Sequence, residues 1–130
     1  MQIYFNLGER YRYQNLYGGS MEMFQKCLGA SKELKDSSLL FFPYREIART
    51  YLFEDKNDSA LIYYQKALVV SRLIHDDFWE AAILSDMSQT YLYKKDTLKA
   101  ERLIVASIGK KISLSVVYTL KANSFTIGMN

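Results

Sequence analysis

The segment Phe24-Gln25-Lys26-Cys27-Leu28 recurs forty residues later as Tyr64-Gln65-Lys66-Ala67-Leu68. The same shift aligns three tyrosines, Tyr11, Tyr51 and Tyr91. It also aligns three small residues, Gly8, Ala48 and Ser88. Because many positions agree in a single register, the sequence predicts an internal repeat.

The apolar positions inside each unit have helical spacing. Residues 4, 7, 8 and 11 fall on one face of a helix with 3.6 residues per turn, and so do residues 20, 24, 27 and 28. A short polar break is expected between the two helices, at Gly18-Gly19 in the first unit and at residues 55–58 and 94–96 in the next two. Helix-capping residue types separate the units, at Asp36-Ser37-Ser38 and Asp76-Asp77. Each unit is therefore predicted to be a helical hairpin.

The repeat divides the chain into units of approximately residues 1–38, 39–77 and 78–116, followed by a partial unit over 117–130. In the partial unit, Ser124, Ile127 and Gly128 take the positions of Tyr4, Leu7 and Gly8. We therefore expect the first helix of a fourth hairpin there. Residues 112–116 alternate in polarity like a strand, but the repeat context favours a helix. The whole chain is predicted to be one repeat domain and a fragment of a longer protein.

The pattern Tyr4-x-x-Leu7-Gly8-x-x-Tyr11, followed by Ser20-x-x-x-Phe24, resembles the tetratricopeptide repeat. The second unit matches at Tyr44, Ile47, Ala48, Tyr51, Ala60, Tyr64 and Ala67. The third unit matches at Leu84, Met87, Ser88, Tyr91, Ala100 and Ile104. The closing proline of the family's signature is missing, and the period exceeds the usual ~34 residues, so longer helices are expected. The resemblance implies an all-α fold, a right-handed α-solenoid of antiparallel helix pairs.

Composition excludes several classes of protein. The 130 residues are 49% hydrophobic, with six glycines, one proline and one cysteine. These values argue against a disordered chain, a collagen-like chain and a disulfide-stabilised scaffold. No uncharged apolar stretch reaches the roughly 18 residues of a spanning helix, so no membrane segment is expected. The single cysteine favours the cytosol only weakly.

The sequence predicts no enzymatic activity, catalytic residue, cofactor or metal site. One histidine and one cysteine cannot form the two-histidine or paired-cysteine metal motifs, and no phosphate-binding glycine motif occurs. A nucleophilic pair of Cys27 and His75 is the one enzymatic alternative. However, Cys27 occupies the small-residue position that recurs as Ala67 and Ser107, which favours a packing role.

Nucleic-acid binding is not expected either. Residues 94–121 carry seven basic side chains against Asp96 and Glu101. A phosphate-binding surface would need a continuous basic stripe. Here the charges are spread around a helix and its ends, which is typical of a solvated face.

The candidate binding surface lies on the first helix of each unit, on the side away from the core. In a stacked solenoid these helices line a concave groove that can bind a protein or peptide. Tyr13, Phe53 and Tyr93 recur in register there, with packing against the next hairpin as their alternative role. The candidate residues are Phe5, Glu9, Arg12, Tyr13, Arg45, Glu46, Arg49, Phe53, Asp86, Gln89 and Tyr93.

Some members of the family bind a partner's C-terminal carboxylate with lysine and asparagine on this face. The corresponding residues here are Phe5, Glu9, Glu46, Ala82 and Asp86, which argues against that specificity. The resemblance implies a non-enzymatic protein- or peptide-binding scaffold, as the interaction or sensing segment of a bacterial regulatory protein. The alternative is a self-assembly module, because no polar cap is evident at the terminal repeat.

Overall fold

A computed structural model describes the backbone of residues 1–129 and the side chains of residues 1–123. A short 3-10 helix, Ser37–Leu40, lies between the second and third α-helices. The α-helices are α1 (Gln2–Tyr13), α2 (Tyr17–Glu33), α3 (Phe41–Phe53), α4 (Asn57–Leu73), α5 (Asp77–Tyr93) and α6 (Thr97–Met129). In sequence order they pack in pairs, α1 on α2, α3 on α4 and α5 on α6. The predicted all-α architecture of antiparallel helical hairpins is confirmed.

Five turns of one type connect the helices at intervals of twenty residues. Each contains a residue with left-handed backbone, with φ between 53° and 61°: Asn15, Lys35, Asp55, His75 and Lys95. In four of them the next residue donates its N–H to the carbonyl five residues earlier, as Leu16 does to Tyr11 (2.8 Å) and Asp96 to Tyr91 (2.9 Å). This bond satisfies a helix-terminal carbonyl that would otherwise lack a partner. The forty-residue unit is therefore two helices and two such turns.

The break expected at Gly18-Gly19 in the first unit is wrong. Both glycines lie in the first turn of α2, and the chain reverses at Asn15 instead. Asparagine tolerates left-handed backbone, so the turn does not need a glycine. Gly19 has a packing role, because a Cβ atom there would lie 3.1 Å from Cδ2 of Tyr11.

The capping residues predicted between the units are confirmed. The Asp36 carboxylate accepts a hydrogen bond from the Ser38 N–H (3.0 Å) at the start of the 3-10 helix. The Asp76 carboxylate accepts one from the Trp79 N–H (2.9 Å) at the start of α5. These bonds satisfy N–H groups that the helix itself leaves free.

Helix α6 continues through the point where a fourth hairpin was expected to begin. The next left-handed turn would fall at Ser115, but α6 runs from Thr97 to Met129, so no helix ends near residue 116. Asp36, Asp76 and Asp96 each precede a new helix and cap it. The residue at the equivalent position here is Val116, whose side chain has no hydrogen-bond acceptor. The side chains of Ser124, Ile127 and Gly128 lie outside the described residues.

Helix α6 is also more apolar than its short uncharged stretches indicate. By length and composition alone, its segment Thr97–Asn123 could cross a membrane, with a mean hydropathy of 1.5 over the most apolar window and 6% of that window buried. Lys110 and Lys111 interrupt the uncharged stretches of this segment, but its mean hydropathy remains high. One such helix is weak evidence for a membrane, and Lys110 forms ion pairs with Asp77 and Glu80 of α5.

The core is built from the recurring positions of the repeat. Phe24 and Tyr64 are almost fully buried, and so are Cys27, Ala67 and Ser107 at the small-residue position. The packing role predicted for Cys27 is therefore confirmed, and burial raises the pKa of its thiol. His75 lies exposed in the turn between α4 and α5.

Replacing Gly8 with alanine is expected to lower the free energy of unfolding by up to about 2 kcal/mol. A Cβ atom at Gly8 would lie 2.7 Å from Cε1 of Phe24, whose ring is fully buried. The overpacking cost of ~1–3 kcal/mol outweighs the ~1 kcal/mol that alanine gains in helix propensity. The control is Gly29→Ala, because nothing lies within 4 Å of that Cβ position. Chemical denaturation should show opposite signs for the two variants, and a stabilising Gly8→Ala would contradict this packing.

Glu80 is expected to make stability depend on pH in the acid range. Burial alone would raise its pKa, but hydrogen bonds from Arg72 (2.7 Å) and Lys110 (3.2 Å) outweigh burial and lower the pKa. The unfolded chain therefore takes up a proton first as pH falls, and the stabilisation present above the ordinary carboxyl pKa is lost. At pH 7 the free energy of unfolding of the wild type should be about 1 kcal/mol higher than that of Glu80→Gln. In urea unfolding at a series of pH values this difference should shrink toward pH 3, and a constant difference would contradict the prediction.

Candidate functional site

The first helices of the three units contact one another through their side chains. An ion pair joins α1 to α3, between Arg12 Nη1 and Glu46 Oε2 at 2.6 Å. A second joins α3 to α5, between Arg45 Nε and Asp86 Oδ2 at 2.8 Å. The surface that α1, α3 and α5 form together is called the first-helix face below.

Two predicted groove residues, Arg12 and Glu46, lie inside the protein, which corrects their expected place on an open surface. Their side chains are 5% and 4% exposed. The Arg12 guanidinium also lies 5.5 Å from the ring centroid of Phe24 and 5.6 Å from that of Phe53, within the range of cation–π attraction. These contacts fix α1 against α3, so Arg12 and Glu46 support the face without reaching a partner.

Five of the eleven predicted residues line one cleft between α3 and α5, called the mixed cleft. Its volume is about 410 Å³. Four lining residues were not among the candidates: Leu52, Asp55, Asn57 and Tyr64. The polar stretch 55–58 indicated a turn but not which helix it would face. The five predicted residues in the cleft are Arg49, Phe53, Asp86, Gln89 and Tyr93.

The mixed cleft carries both signs of charge. Arg49 donates a hydrogen bond to Glu46 Oε1 at 3.1 Å, while 43% of its side chain remains exposed. Burial alone would lower the pKa of Arg49, but Glu46 and Asp86 raise it on balance, so the guanidinium stays charged. Asp86 is held by Arg45. Burial raises the pKa of the Tyr64 hydroxyl, which stays protonated and can donate a hydrogen bond.

The aromatic residues predicted to recur on this surface are exposed but do not form one continuous row. Tyr13 is 79% exposed, Phe53 57% and Tyr93 59%. Phe53 and Tyr93 share the mixed cleft, and Phe53 also stacks on Tyr17 with 6.0 Å between ring centroids. Tyr13 and Glu9 line a separate hollow on α1. These exposed fractions do not support packing against the next hairpin as their main role.

A second cleft, the apolar cleft, lies at the N-terminal ends of α1, α3 and α5. Its volume is about 360 Å³, and its walls include Phe5, Phe42, Pro43 and Trp79. The rings of Phe42 and Trp79 pack edge to face at 5.0 Å. Phe5 is one of the residues predicted to bind a partner. Trp79 is not, because Trp79 precedes the helical positions that were compared between the units. Trp79 is the only tryptophan in the chain.

The side chains described contain no group of three or more histidine, cysteine or acidic residues that could hold a metal ion. The basic residues of the last hairpin are partly neutralised. Lys94 pairs with Asp58, and Lys110 pairs with Asp77 and Glu80. The mixed cleft offers charged groups and hydrogen-bonding groups, whereas the apolar cleft offers mainly apolar contacts.

No protein-family sequence profile matches this chain. No curated protein sequence matches it either. Its structure is similar to the crystal structure of the TPR domain of Arabidopsis FLU, with a TM-score of 0.76 and 16% sequence identity. The similarity covers 85% of this chain and 92% of that chain. The chain therefore has a tetratricopeptide-like helical-repeat fold.

Proposed function

We propose that this protein is a non-enzymatic scaffold that binds a peptide segment of a partner protein on its first-helix face. The observation that carries the proposal is the presence of two clefts of different chemistry on that face. One is walled by Phe5, Phe42 and Trp79, and the other contains Arg49, Gln89 and exposed aromatic rings. Exposed aromatic and arginine side chains in a cleft are typical of residues that dominate binding energy.

The spacing of the clefts sets the length of the peptide. Phe42 and Phe53 mark the two clefts at opposite ends of α3, eleven residues apart, or about 16 Å at the helical rise of 1.5 Å per residue. An extended peptide of about five residues spans that distance. We expect an aliphatic or aromatic side chain in the apolar cleft and polar side chains in the mixed cleft.

The charges argue against a partner of uniform charge. Arg49 in the mixed cleft is balanced by Asp55 and Asp86. The side-chain amides of Asn57 and Gln89 lie in the same cleft and can bond to the N–H and C=O groups of a peptide backbone. We expect a peptide of low net charge that pairs with both signs.

Selection from a random peptide library, followed by titration of the selected peptides, tests the proposal. Trp79 reports on binding, because its fluorescence is sensitive to occupation of the apolar cleft and no other tryptophan is present. The double variant Phe53→Ser/Tyr93→Ser should weaken binding about 10-fold or more, since it removes both exposed rings of the mixed cleft.

The matched control is Ile62→Ser/Val69→Ser, which removes two exposed apolar side chains of α4. It should leave the affinity within about twofold, since surface residues outside an interface contribute little. Equal losses in the two double variants, or no loss in either, would place the binding site elsewhere and overturn the proposal.

We also propose that the scaffold is the interaction or sensing segment of a bacterial regulatory protein. The support for this is the resemblance of the forty-residue repeat to the long-helix repeats of such proteins. Identification of the protein encoded by the complete gene would test it, and an enzyme or structural protein with no regulatory domain would contradict it.

A further inference from the structure

The second helices of the first two units are covered by the first helix of the following unit. Leu28 of α2 is 6% exposed and Leu68 of α4 is 3% exposed. At the same position of the repeat in α6, Ile108 is 47% exposed. The apolar face of α6 that contains Ile108 therefore resembles a joint between units, but no first helix covers it within the described residues 1–129.

Helix α1 exposes residues whose counterparts in α3 and α5 are buried against the preceding hairpin. Ile3 is 74% exposed, whereas Pro43 and Ile83, at the same position of the later units, are fully buried. Arg10 is exposed, whereas Thr50 and Thr90 are fully buried. In the later units this side of the first helix packs on the preceding hairpin. On α1 the same side is open.

A cleft of about 520 Å³ lies between α5 and α6, at the open end of the last hairpin. Ala100, Glu101 and Ile104 of α6 and Leu92 of α5 are among its lining residues. In the preceding units the corresponding place is taken by α3, which packs on α2, and by α5, which packs on α4. The cleft therefore has the position that the repeat assigns to one more first helix.

Each open face carries a charged residue at a position that is uncharged in the two inner joints, which are α2 against α3 and α4 against α5. The two charges have opposite signs. Met21 and Leu61 pack in the inner joints, and the residue at their position in α6 is Glu101. On the other side of those joints the residues are Thr50 and Thr90. The residue at the same position in α1 is Arg10. The hydroxyls of Ser20 and Thr50 lie 3.5 Å apart, so the threonine position meets the residue that directly precedes Met21 in α2. A first helix seated on α6 in the same way would bring Arg10 beside Glu101.

We infer that the occupant of the cleft between α5 and α6 is α1 of a second copy of this chain. The contact continues the joint already used twice inside the molecule, with Ile3 of one copy facing the Ile108 side of the other. It is heterologous, because each copy uses a different face, so it leads to end-to-end stacks and not to closed pairs. This self-association uses the joint faces of α1 and α6 and goes beyond the proposed peptide binding, although Asp86 and Gln89 line both this cleft and the mixed cleft.

Sedimentation over a range from about 10 μM to 1 mM tests the inference, since this range covers weak association. The average mass of the wild type should rise with concentration beyond two chains. Ile3→Glu and Ile108→Glu should each remain a monomer, because each variant lacks one of the two faces. An equimolar mixture of the two variants should stop at two chains, since only one productive contact remains. Circular dichroism checks that each variant is folded, and Ile62→Glu is the matched surface control.

Exchange of the charges provides a second readout. Glu101→Arg should weaken association several-fold, and the double variant Arg10→Glu/Glu101→Arg should restore it. A monomeric wild type over the whole range would overturn the inference. So would loss of association in Ile108→Glu alone, which would indicate symmetric pairing of α6. Binding of a monomeric wild type to phosphatidylserine vesicles that depends on Ile108 would assign the face to a lipid surface instead.

Discussion

Glu46→Ala is expected to lower the free energy of unfolding by about 3–5 kcal/mol, because it leaves the Arg12 guanidinium buried without a counter-charge. Arg12 and Glu46 are 2.6 Å apart and almost fully shielded from solvent. The remaining contacts of Arg12, with the rings of Phe24 and Phe53, cannot replace a carboxylate. Urea unfolding followed by circular dichroism measures the loss.

Two controls separate the buried charge from a general effect of mutation. Asp86→Ala breaks the Arg45–Asp86 pair, whose side chains are 21% and 22% exposed, so the loss should be about 1 kcal/mol. The double variant Arg12→Met/Glu46→Leu removes both charges and should recover most of the stability. Equal losses in Glu46→Ala and Asp86→Ala would contradict the assignment of Arg12 and Glu46 to the interior.

Phe41→Ala is expected to cost about 3–5 kcal/mol, the usual range for removal of a buried phenylalanine. Phe41 is fully buried and stacks on Trp79 with 4.5 Å between ring centroids and an interplanar angle of 16°. The variant leaves a cavity between α3 and α5. Unfolding followed by the fluorescence of Trp79 measures both the stability and the altered surroundings of the indole.

The neighbouring residue provides the matched control. Phe42 also contacts Trp79, but it is 41% exposed and lines the apolar cleft. Phe42→Ala should therefore cost about 1 kcal/mol, since a large part of its side chain stays in contact with water in the folded protein. A larger loss for Phe42→Ala than for Phe41→Ala would contradict this division between core and cleft.

Most of the fold could be predicted from the sequence because every unit repeats the same packing. The shift that aligns Tyr11, Tyr51 and Tyr91 also aligns the carbonyls that accept the hydrogen bonds closing three turns. What could not be predicted is the exact turn residue. Lysine does not favour left-handed backbone, so this conformation at Lys35 and Lys95 follows from the register of the helices. The continuity of α6 was missed because the repeat was extended past residue 116, although Val116 lacks the side-chain acceptor that Asp36 and Asp76 provide.

The candidate site could be predicted only in part. Helical spacing placed Arg49, Phe53, Asp86, Gln89 and Tyr93 on one face, and the structure brings them to one cleft. The same spacing also placed Arg12 and Glu46 there. Burial of that pair depends on a contact between residues 34 positions apart, which periodicity within a single helix does not reveal.

NMR mapping of a selected peptide shows directly whether the first-helix face is the binding surface. With isotope-labelled protein, we predict that amide shifts on titration concentrate in α1, α3 and α5 around the apolar and mixed clefts. Trp79 and Gln89 should be among the most affected residues, since they lie in different clefts on one helix. Shifts concentrated on the outer surfaces of α2 and α4, with Trp79 and Gln89 unchanged, would contradict the claim.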